Sequence, residues 1–280
     1  MSQRLGSAPR QVDDYGRPLS RISTSSTSPL DLDWLLTRHL HRDVTRALKI
    51  HARGLLLDVG CGGRPYEQVV PDGVEYLGID TPASSLSRPD AWSLAMPLPF
   101  RDNAFDTILC TQVLEHLAEP WLAVREFARV LRPGGCLIVT APQAWNLHEI
   151  PYDFFRYTEY GLQHLCAASD LEPIEKIAQG GFFATVGVFT IVHIGSYAQW
   201  LARKVKSSSA GVESGEEAWR RWLWPLRLPM AAFNAFFAAL DAIPQPGLFA
   251  LNHLLVARKR ERRSGRRPDV RRVEGPDRPS

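Results

Sequence analysis

Apolar residues along the first two thirds of the chain predict alternating helices and strands. Between residues 30 and 50 they recur with the period of about 3.6 residues that is typical of a helix, which predicts a helix over 30–52. Short apolar runs then predict four strands, at 54–59, 74–80, 105–110 and 136–140. A helical pattern at 120–131 lies between the third and the fourth strand. Strands that alternate with helices favour a parallel sheet with helices on both faces.

The last third of the chain predicts two more strands and a long apolar insertion between them. We expect a helix at 161–169, a strand at 171–177 and the final strand at 252–259. The apolar residues between these strands are divided by a polar, serine-rich stretch at 207–217. The predicted organisation has a flexible arm at 1–28, a main domain formed by 29–181 and 249–259, a helical apolar insertion at 182–248 and a basic, disordered tail at 260–280.

Composition and charge exclude several classes of protein. Of the 280 residues, 45% are hydrophobic and 22% are charged, which is typical of a globular protein and excludes wholesale disorder and a disulfide scaffold. The net charge is +3, but residues 258–280 hold ten Lys and Arg against four Asp and Glu, so the rest of the chain is mildly acidic. We therefore expect no nucleic-acid partner.

The cysteines and the N-terminal residues predict a cytoplasmic protein. The four cysteines show neither metal-ligand nor Cys-x-x-Cys spacing, so we expect reduced, buried thiols and no metal site: they are Cys61, Cys110, Cys136 and Cys166. Residues 1–28 lack the apolar core of a secretory signal peptide.

A glycine-rich loop follows the first predicted strand, in the sequence LLLDVGCGG at 55–63. It is neither a phosphate-binding loop with Gly-Lys-Ser/Thr nor a regular GxGxxG motif. At the end of the next strand, Asp80 can accept hydrogen bonds from both ribose hydroxyls of a nucleoside. Two simpler interpretations stay open, in which the glycines form a structural turn and Asp80 starts a turn before Pro82.

Three further segments follow in order, LPFRDNAFD at 98–106, VLEH at 113–116 and RVLRPGG at 129–135. Together with the loop and Asp80, they make residues 55–142 resemble the class I S-adenosylmethionine-dependent methyltransferases, and most closely the small-molecule "type 11" branch. The resemblance implies a doubly wound α/β fold, with a mostly parallel, seven-stranded, Rossmann-like sheet and the helical insertion before its last strand. It also implies S-adenosylmethionine as the cofactor.

The resemblance implies a role for individual residues of the cofactor site. Four residues of the first loop would border the methionine part of the cofactor: Asp58, Gly60, Cys61 and Gly62. Asp80 would hold the ribose, and Gln112 would line the pocket near the methionine end. Many relatives carry Asp-Ala just before the LPF segment, whereas this chain has Leu94 and Ala95. The adenine contact then falls to the backbone at Ala95, or to Asp90 or Trp92.

Candidate residues for the methyl acceptor lie in two places. His116 is a candidate general base if the acceptor is a hydroxyl, with a capping or packing role as the alternative. The segment 142–157 is dense in aromatic and ionisable groups, and similar His…Tyr-Asp-Phe-x-Arg-Tyr segments occur in a subset of these methyltransferases. From it we take two candidate catalytic residues, His148 and Tyr152, and three candidate acceptor-binding residues, Trp145, Asp153 and Arg156. Alternatively, Asp153 and Arg156 form an i,i+3 pair that anchors the loop.

The apolar insertion admits three interpretations. It is a helical cap that packs over the active site or on a second subunit, an interfacial or hairpin contact with a membrane, or a spanning segment. The basic tail would add attraction to anionic lipid, or would simply be a solvated tail.

The sequence therefore predicts a cytoplasmic methyltransferase, with membrane association and a homodimer as open questions. The acceptor would be a small molecule or a lipid- or glycan-linked intermediate. The alternatives are NAD-linked redox chemistry, against which the three later segments argue, and a non-catalytic scaffold or binding protein that keeps the cofactor fold.

Overall fold

The computed structural model describes residues 28–30, 33–82, 88–206 and 227–261. The strands are β1 Leu55–Val59, β2 Glu75–Asp80, β3 Ala91–Trp92, β4 Phe105–Thr111, β5 Leu131–Pro142, β6 Leu171–Gln179 and β7 Asn252–Lys259. The helices are α1 Trp34–His51, α2 Pro120–Val130, α3 Glu159–Ala167, α4 Phe182–Lys206 and α5 Arg227–Asp241. Short 3₁₀ turns occupy Glu67–Val69 and Leu114–His116.

The strands form one seven-stranded sheet in the order β3-β2-β1-β4-β5-β7-β6. Only β7 runs antiparallel to its neighbours within the described sheet, β5 and β6. This confirms the predicted doubly wound, mostly parallel α/β fold. The chain moves outward from β1 and returns to its other side as β4, so the order reverses between these two strands. In open sheets of this kind, ligands bind at the carboxyl ends of the strands at such a reversal.

The central strands β1 and β4 are buried along nearly their whole length. Leu57 and Ile108, on the adjacent strands β1 and β4, have no exposed surface, and neither does Phe127 of α2, which belongs to the same core cluster. Near-continuous apolar strands are expected where helices cover both faces of a parallel sheet. At the sheet edge, β6 instead alternates between buried and exposed positions.

Several element boundaries differ from the predicted ones, mostly by a few residues at helix and strand ends. Two-residue β3 was not predicted, because so short a strand carries no readable period. Strand pairing in β5 begins at Leu131, ahead of the predicted start. Within the VLEH segment, residues Leu114–His116 form a 3₁₀ turn, and the following helix begins at Pro120 as predicted.

Two helices lie where the insertion is predicted, and both contact α1. Ala184 and Val188 of α4 are buried in a cluster with Leu35 and Leu40 of α1. Asp241, at the end of α5, accepts hydrogen bonds from the amides of Gly181 (2.9 Å) and Ala184 (3.0 Å), which satisfies donors at the start of α4. Burial raises the pKa of Asp241, but hydrogen bonds from His39 and Gln245, together with these two amides, hold it below its usual value.

Parts of the predicted organisation fall on residues outside the described ranges. These are nearly all of the N-terminal arm at 1–28, the serine-rich stretch at 207–217 and the tail from 262 onward. The division into arm, domain, insertion and tail therefore stays a prediction. Of the helices that the structure describes, none is long and apolar enough to span a bilayer.

Candidate cofactor and acceptor site

The glycine loop turns sharply at the carboxyl end of β1. Gly60 and Gly62 have φ angles of +75° and +54°, in the left-handed region that glycine adopts readily. A Cβ at Gly60 would lie 2.4 Å from Cγ2 of Val113, just after β4, whereas one at Gly63 would meet no described atom within 4 Å. The loop therefore packs tightly against the segment after β4 on one side and is open on the other.

Asp80 ties this loop to the end of β2. Its side chain is buried, and its two oxygens accept hydrogen bonds from the amides of Gly62 (2.9 Å) and Thr81 (2.6 Å). A carboxylate has about four lone-pair sites, so one such group can accept hydrogen bonds from several donors at once. The structure thus places Asp80 at the predicted position, and its role toward ribose stays a prediction.

Asp58 presents an unsatisfied buried oxygen beside the same loop. Oδ2 accepts a hydrogen bond from the Tyr76 hydroxyl at 2.5 Å, whereas Oδ1 is buried and has no hydrogen-bond partner among the described residues. Burial raises the pKa of Asp58 to about 7, although the Tyr76 bond opposes that rise. A buried carboxylate oxygen of this kind is stabilised by a donor or a cation. The ammonium group of a methionine moiety would supply both, so the residues present fit the implied cofactor.

The three candidates for the adenine contact have different surroundings. Ala95 is partly buried and packs against the main core. Asp90 is engaged by the Gly78 amide at 2.8 Å and by the Arg64 guanidinium at 2.9 Å. Trp92 pairs with the last residue of β2 and is 53% exposed. The structure thus leaves a large exposed aromatic surface at Trp92.

Gln112 joins β4, β5 and β7 at the edge of the sheet where β4 and β5 end and the antiparallel β7 begins. It follows β4 with a φ of +54°, and Nε2 donates to Thr140 Oγ1 (3.0 Å) and to Asn252 Oδ1 (2.9 Å). Asn252 in turn donates to Gln179 at the end of β6. Sequence reasoning missed Thr140, Asn252 and Gln179 as partners of Gln112. The available signal is a polar residue at or near one end of a predicted strand: Thr140 ends one, Gln179 follows another and Asn252 starts the third.

The segment after β5 folds back onto the Leu114–His116 turn. The Phe154 amide donates to the Glu115 carbonyl at 2.8 Å, and the Tyr157 hydroxyl donates to the Leu114 carbonyl at 3.1 Å. The Tyr157 amide also donates to the Pro142 carbonyl at 2.8 Å. These bonds hold the two candidate acceptor regions of the sequence against each other.

His116 and His148 consequently lie together, with ring centroids 4.7 Å apart. His116 Nδ1 lies 2.6 Å from the Tyr152 carbonyl oxygen, and His148 Nδ1 lies 3.1 Å from the carbonyl oxygen of Asn146. A carbonyl only accepts, so both rings carry their proton on Nδ1 and leave Nε2 as the nitrogen with a lone pair. Burial and the neighbouring His116 lower the pKa of His148 to about 4.

Glu115 completes this group; the sequence places it beside the candidate base His116 but gives it no role of its own. Its side chain is fully buried, and neither carboxylate oxygen has a hydrogen-bond partner among the described residues. Oε1 lies 3.8 Å from His116 Nε2, and burial raises the pKa of Glu115 to about 8. The signal in the sequence is a carboxylate next to the candidate base His116, within an otherwise apolar run.

Asp153 and Arg156 form the loop-anchoring pair that the sequence left open as an alternative. Arg156 donates to both oxygens of Asp153, at 2.6 Å and 2.8 Å, and also to the carbonyls of Trp145 (3.3 Å) and Asn146 (3.0 Å). Asp153 Oδ2 also accepts the His148 amide at 3.0 Å. Both side chains are thus engaged in fixing the loop, and their direct contact with an acceptor stays a prediction.

The two aromatic candidates of this loop face different environments. Trp145 is partly buried against the cluster that joins α1 to the insertion. Tyr152 is 58% exposed, and the structure uses its carbonyl, rather than its phenol, to orient His116. The catalytic role predicted for the Tyr152 phenol stays a prediction.

Comparisons with known proteins agree with this geometry. Residues 57–139 match the model of the type 11 methyltransferase domain. A 27-O-demethylrifamycin SV methyltransferase of Amycolatopsis mediterranei is 32% identical over 106 residues, which cover 32% of this chain and 39% of that protein. A demethylmenaquinone methyltransferase of Geobacillus stearothermophilus is 30% identical over 143 residues, which cover 43% of this chain and 61% of that protein.

The chain thus spans less than two thirds of the length of these curated relatives. Among solved structures, the cyclase SpnF aligns over 80% of this chain and 82% of its own, with 25% identity and a TM-score of 0.49. The sheet order, the glycine loop and the matched residues give one assignment. Residues 57–139 of the chain carry a methyltransferase domain that matches the class I, S-adenosylmethionine-dependent type 11 family.

Proposed function

We propose that this protein transfers the methyl group of S-adenosylmethionine to a small-molecule or a lipid- or glycan-linked acceptor. One observation carries the proposal. The glycine loop, the buried Asp80 and the unsatisfied oxygen of Asp58 lie together at the carboxyl ends of β1 and β2, beside the reversal of strand order. That is where an open α/β sheet holds a nucleoside cofactor.

On this proposal, Asp80 and the loop bind the nucleoside, and Asp58 faces the charged methionine end. The bound cofactor supplies an activated methyl group for in-line displacement. The chain's own part is to orient the acceptor and to receive its proton where it has one. Nε2 of His116 and Nε2 of His148 are the available proton acceptors, since hydrogen bonds fix both rings in that tautomer.

The insertion supports a proposal about partners. Several large apolar side chains of α4 and α5 are exposed, with exposed fractions of 63%, 61% and 58% at Ile194, Tyr197 and Phe236. Such a surface suits a second copy of the chain or the surface of a membrane. Light scattering at several concentrations and sedimentation with anionic vesicles would distinguish these two partners.

The four cysteines are free and buried, which supports a cytoplasmic location.

Calorimetric titration with S-adenosylhomocysteine tests the cofactor assignment directly, with NAD in a parallel cell. We expect micromolar binding of the former and none of the latter. Binding of NAD alone would instead support redox chemistry on the same sheet.

An acceptor screen with radiolabelled S-adenosylmethionine then tests the activity, and its panel should include phenols, amines, sugars and polyprenyl-linked glycans. Cofactor binding without methyl transfer to any member of a broad panel would favour a non-catalytic binding protein.

A further inference from the structure

The acceptor side of the site gathers three side chains of metal-binding type. One potential ligand atom from each of Glu115, His116 and His148 lies within 4.8 Å of the other two. Two imidazoles and one carboxylate are a ligand set that suits divalent first-row transition metals, and three protein ligands are typical of catalytic sites that keep open positions.

The state of Glu115 points independently to a cation. The side chain is fully buried, yet both carboxylate oxygens lack hydrogen-bond partners among the described residues. Burying an ionised carboxylate costs several kcal/mol or more, so such a group is paired, coordinates a metal or is held in its protonated form. His116 Nε2 lies 3.8 Å from Oε1 of Glu115, within reach of a shared cation.

The hydrogen bonds around the histidines suit the same role. Each ring donates from Nδ1 to a backbone carbonyl, of Tyr152 for His116 and of Asn146 for His148. Metal-binding histidines commonly donate their other ring N–H to a carbonyl or carboxylate, which fixes the tautomer and raises the basicity of the ligating nitrogen. Both rings are thus held in the form that a metal requires.

We propose that Glu115, His116 and His148 bind a divalent transition-metal ion such as Zn²⁺ at the acceptor side of the methyltransferase site. Bonds of about 2.0–2.1 Å place the ligands of a tetrahedral zinc roughly 3.3 Å apart. The 3.8 Å between Glu115 and His116 is close to this value, and side-chain rotation brings the third ligand in. This proposal replaces the expectation from the cysteine spacing that the protein has no metal site.

The metal would act on the acceptor, a step that rests on the proposed function. An open coordination position would take an acceptor hydroxyl and make its O–H bond easier to break. With the metal bound, the two histidines would serve as ligands, and water would accept the proton that they could otherwise take. The favoured acceptors are therefore oxygen nucleophiles, such as phenols and sugar hydroxyls.

Metal binding by the untagged full-length chain tests the site without any need for activity. After treatment with a chelator and its removal, zinc chloride is titrated calorimetrically into the wild type and into His116→Ala, His148→Ala and Glu115→Gln. We expect one zinc per chain in the wild type. Loss of an outer-shell partner costs about 10–100-fold in metal affinity, so loss of a ligand should cost at least about 100-fold.

Two controls keep the result interpretable. His164→Ala removes an exposed histidine of α3 and should leave zinc affinity unchanged. S-adenosylhomocysteine binding, measured on every variant, reports that the fold and the cofactor side are intact.

The outcomes of the titration separate the metal proposal from the proposed function. A wild type that binds S-adenosylhomocysteine but not zinc would overturn the metal proposal and leave the methyltransferase proposal standing. Equal zinc affinity in the wild type and in both histidine variants would place the zinc elsewhere and would also overturn it. Zinc binding that depends on these residues, without S-adenosylhomocysteine binding, supports the metal site and removes the proposed function.

Discussion

Replacing Asp58 by asparagine should remove a pH dependence from the stability of the cofactor-free protein. Burial raises the pKa of Asp58 from 3.8 to about 7 in the folded state. Between these values the folded chain holds a proton that the unfolded chain has lost. The free energy of unfolding therefore falls as the pH rises through this range. Above it, the cost of ionising Asp58 in the folded protein reaches about 4 kcal/mol, at about 1.4 kcal/mol per pKa unit.

Most of this change falls within a convenient experimental range. Between about pH 5 and about pH 8, Asp58 should lower the free energy of unfolding by roughly 2.5 kcal/mol. Asparagine has no such titration, and its Oδ1 can still accept the hydrogen bond from the Tyr76 hydroxyl. The comparison uses urea denaturation of both proteins at the two pH values, in the presence of a chelator. The measured quantity is the difference between their pH slopes.

A matched control is Asp90→Asn. Hydrogen bonds from the Gly78 amide and the Arg64 guanidinium lower the pKa of Asp90, so its contribution is complete above pH 4 and adds no slope in the range tested. If Asp58→Asn and the wild type show the same slope, the buried carboxylate is not the titrating group and the account of Asp58 is wrong. The same reasoning predicts that the wild type binds S-adenosylmethionine more tightly above pH 7 than below it. Above pH 7, Asp58 is already ionised in the cofactor-free protein.

Three further predictions address other parts of the site. Asp80→Ala should weaken S-adenosylhomocysteine binding in calorimetry by about 1.5–3 kcal/mol, since charge-assisted bonds are lost; an unchanged affinity would exclude a role in cofactor binding. Arg156→Lys should lower turnover while sparing cofactor affinity, because it loses the paired bonds to Asp153 that fix the loop bearing His148. Hydrogen exchange in that loop should become faster. Unaltered exchange and turnover would contradict this prediction. Gly60→Ala should lower the melting temperature, since its φ is +75° and its Cβ would clash, whereas Gly63→Ala should not; equal melting of the two variants would count against the tight loop packing.

Local sequence patterns predicted most of the sheet. Strand and helix periods are properties of a few neighbouring residues, so β1, β4 and α2 could be located without knowledge of their neighbours. The glycine loop and Asp80 could also be predicted, because strand, turn and strand end follow one another closely along the chain. The two residues of β3 could not, since they become a strand only by pairing with β2.

The acceptor side of the site required the tertiary structure. Glu115 and His148 belong to different loops, and only hydrogen bonds between those loops bring them together. The same holds for Gln112 and Asn252, which lie 140 residues apart in sequence. The sequence left open whether Arg156 binds the acceptor or anchors the loop. Its hydrogen bond to the Asn146 carbonyl shows the anchoring role, and residue spacing alone does not reveal that contact.

The sequence by itself thus determined the order of elements and the cofactor loop, because periodicity and turn chemistry act over short distances. Tertiary structure decided which polar groups meet at the carboxyl edge of the sheet. It also decided which of them are left buried without a partner, because burial and pairing depend on segments that are distant along the chain. The buried Glu115 carboxylate, whose oxygens have no hydrogen-bond partner among the described residues, is a property of this second kind, and it led to the proposed metal site.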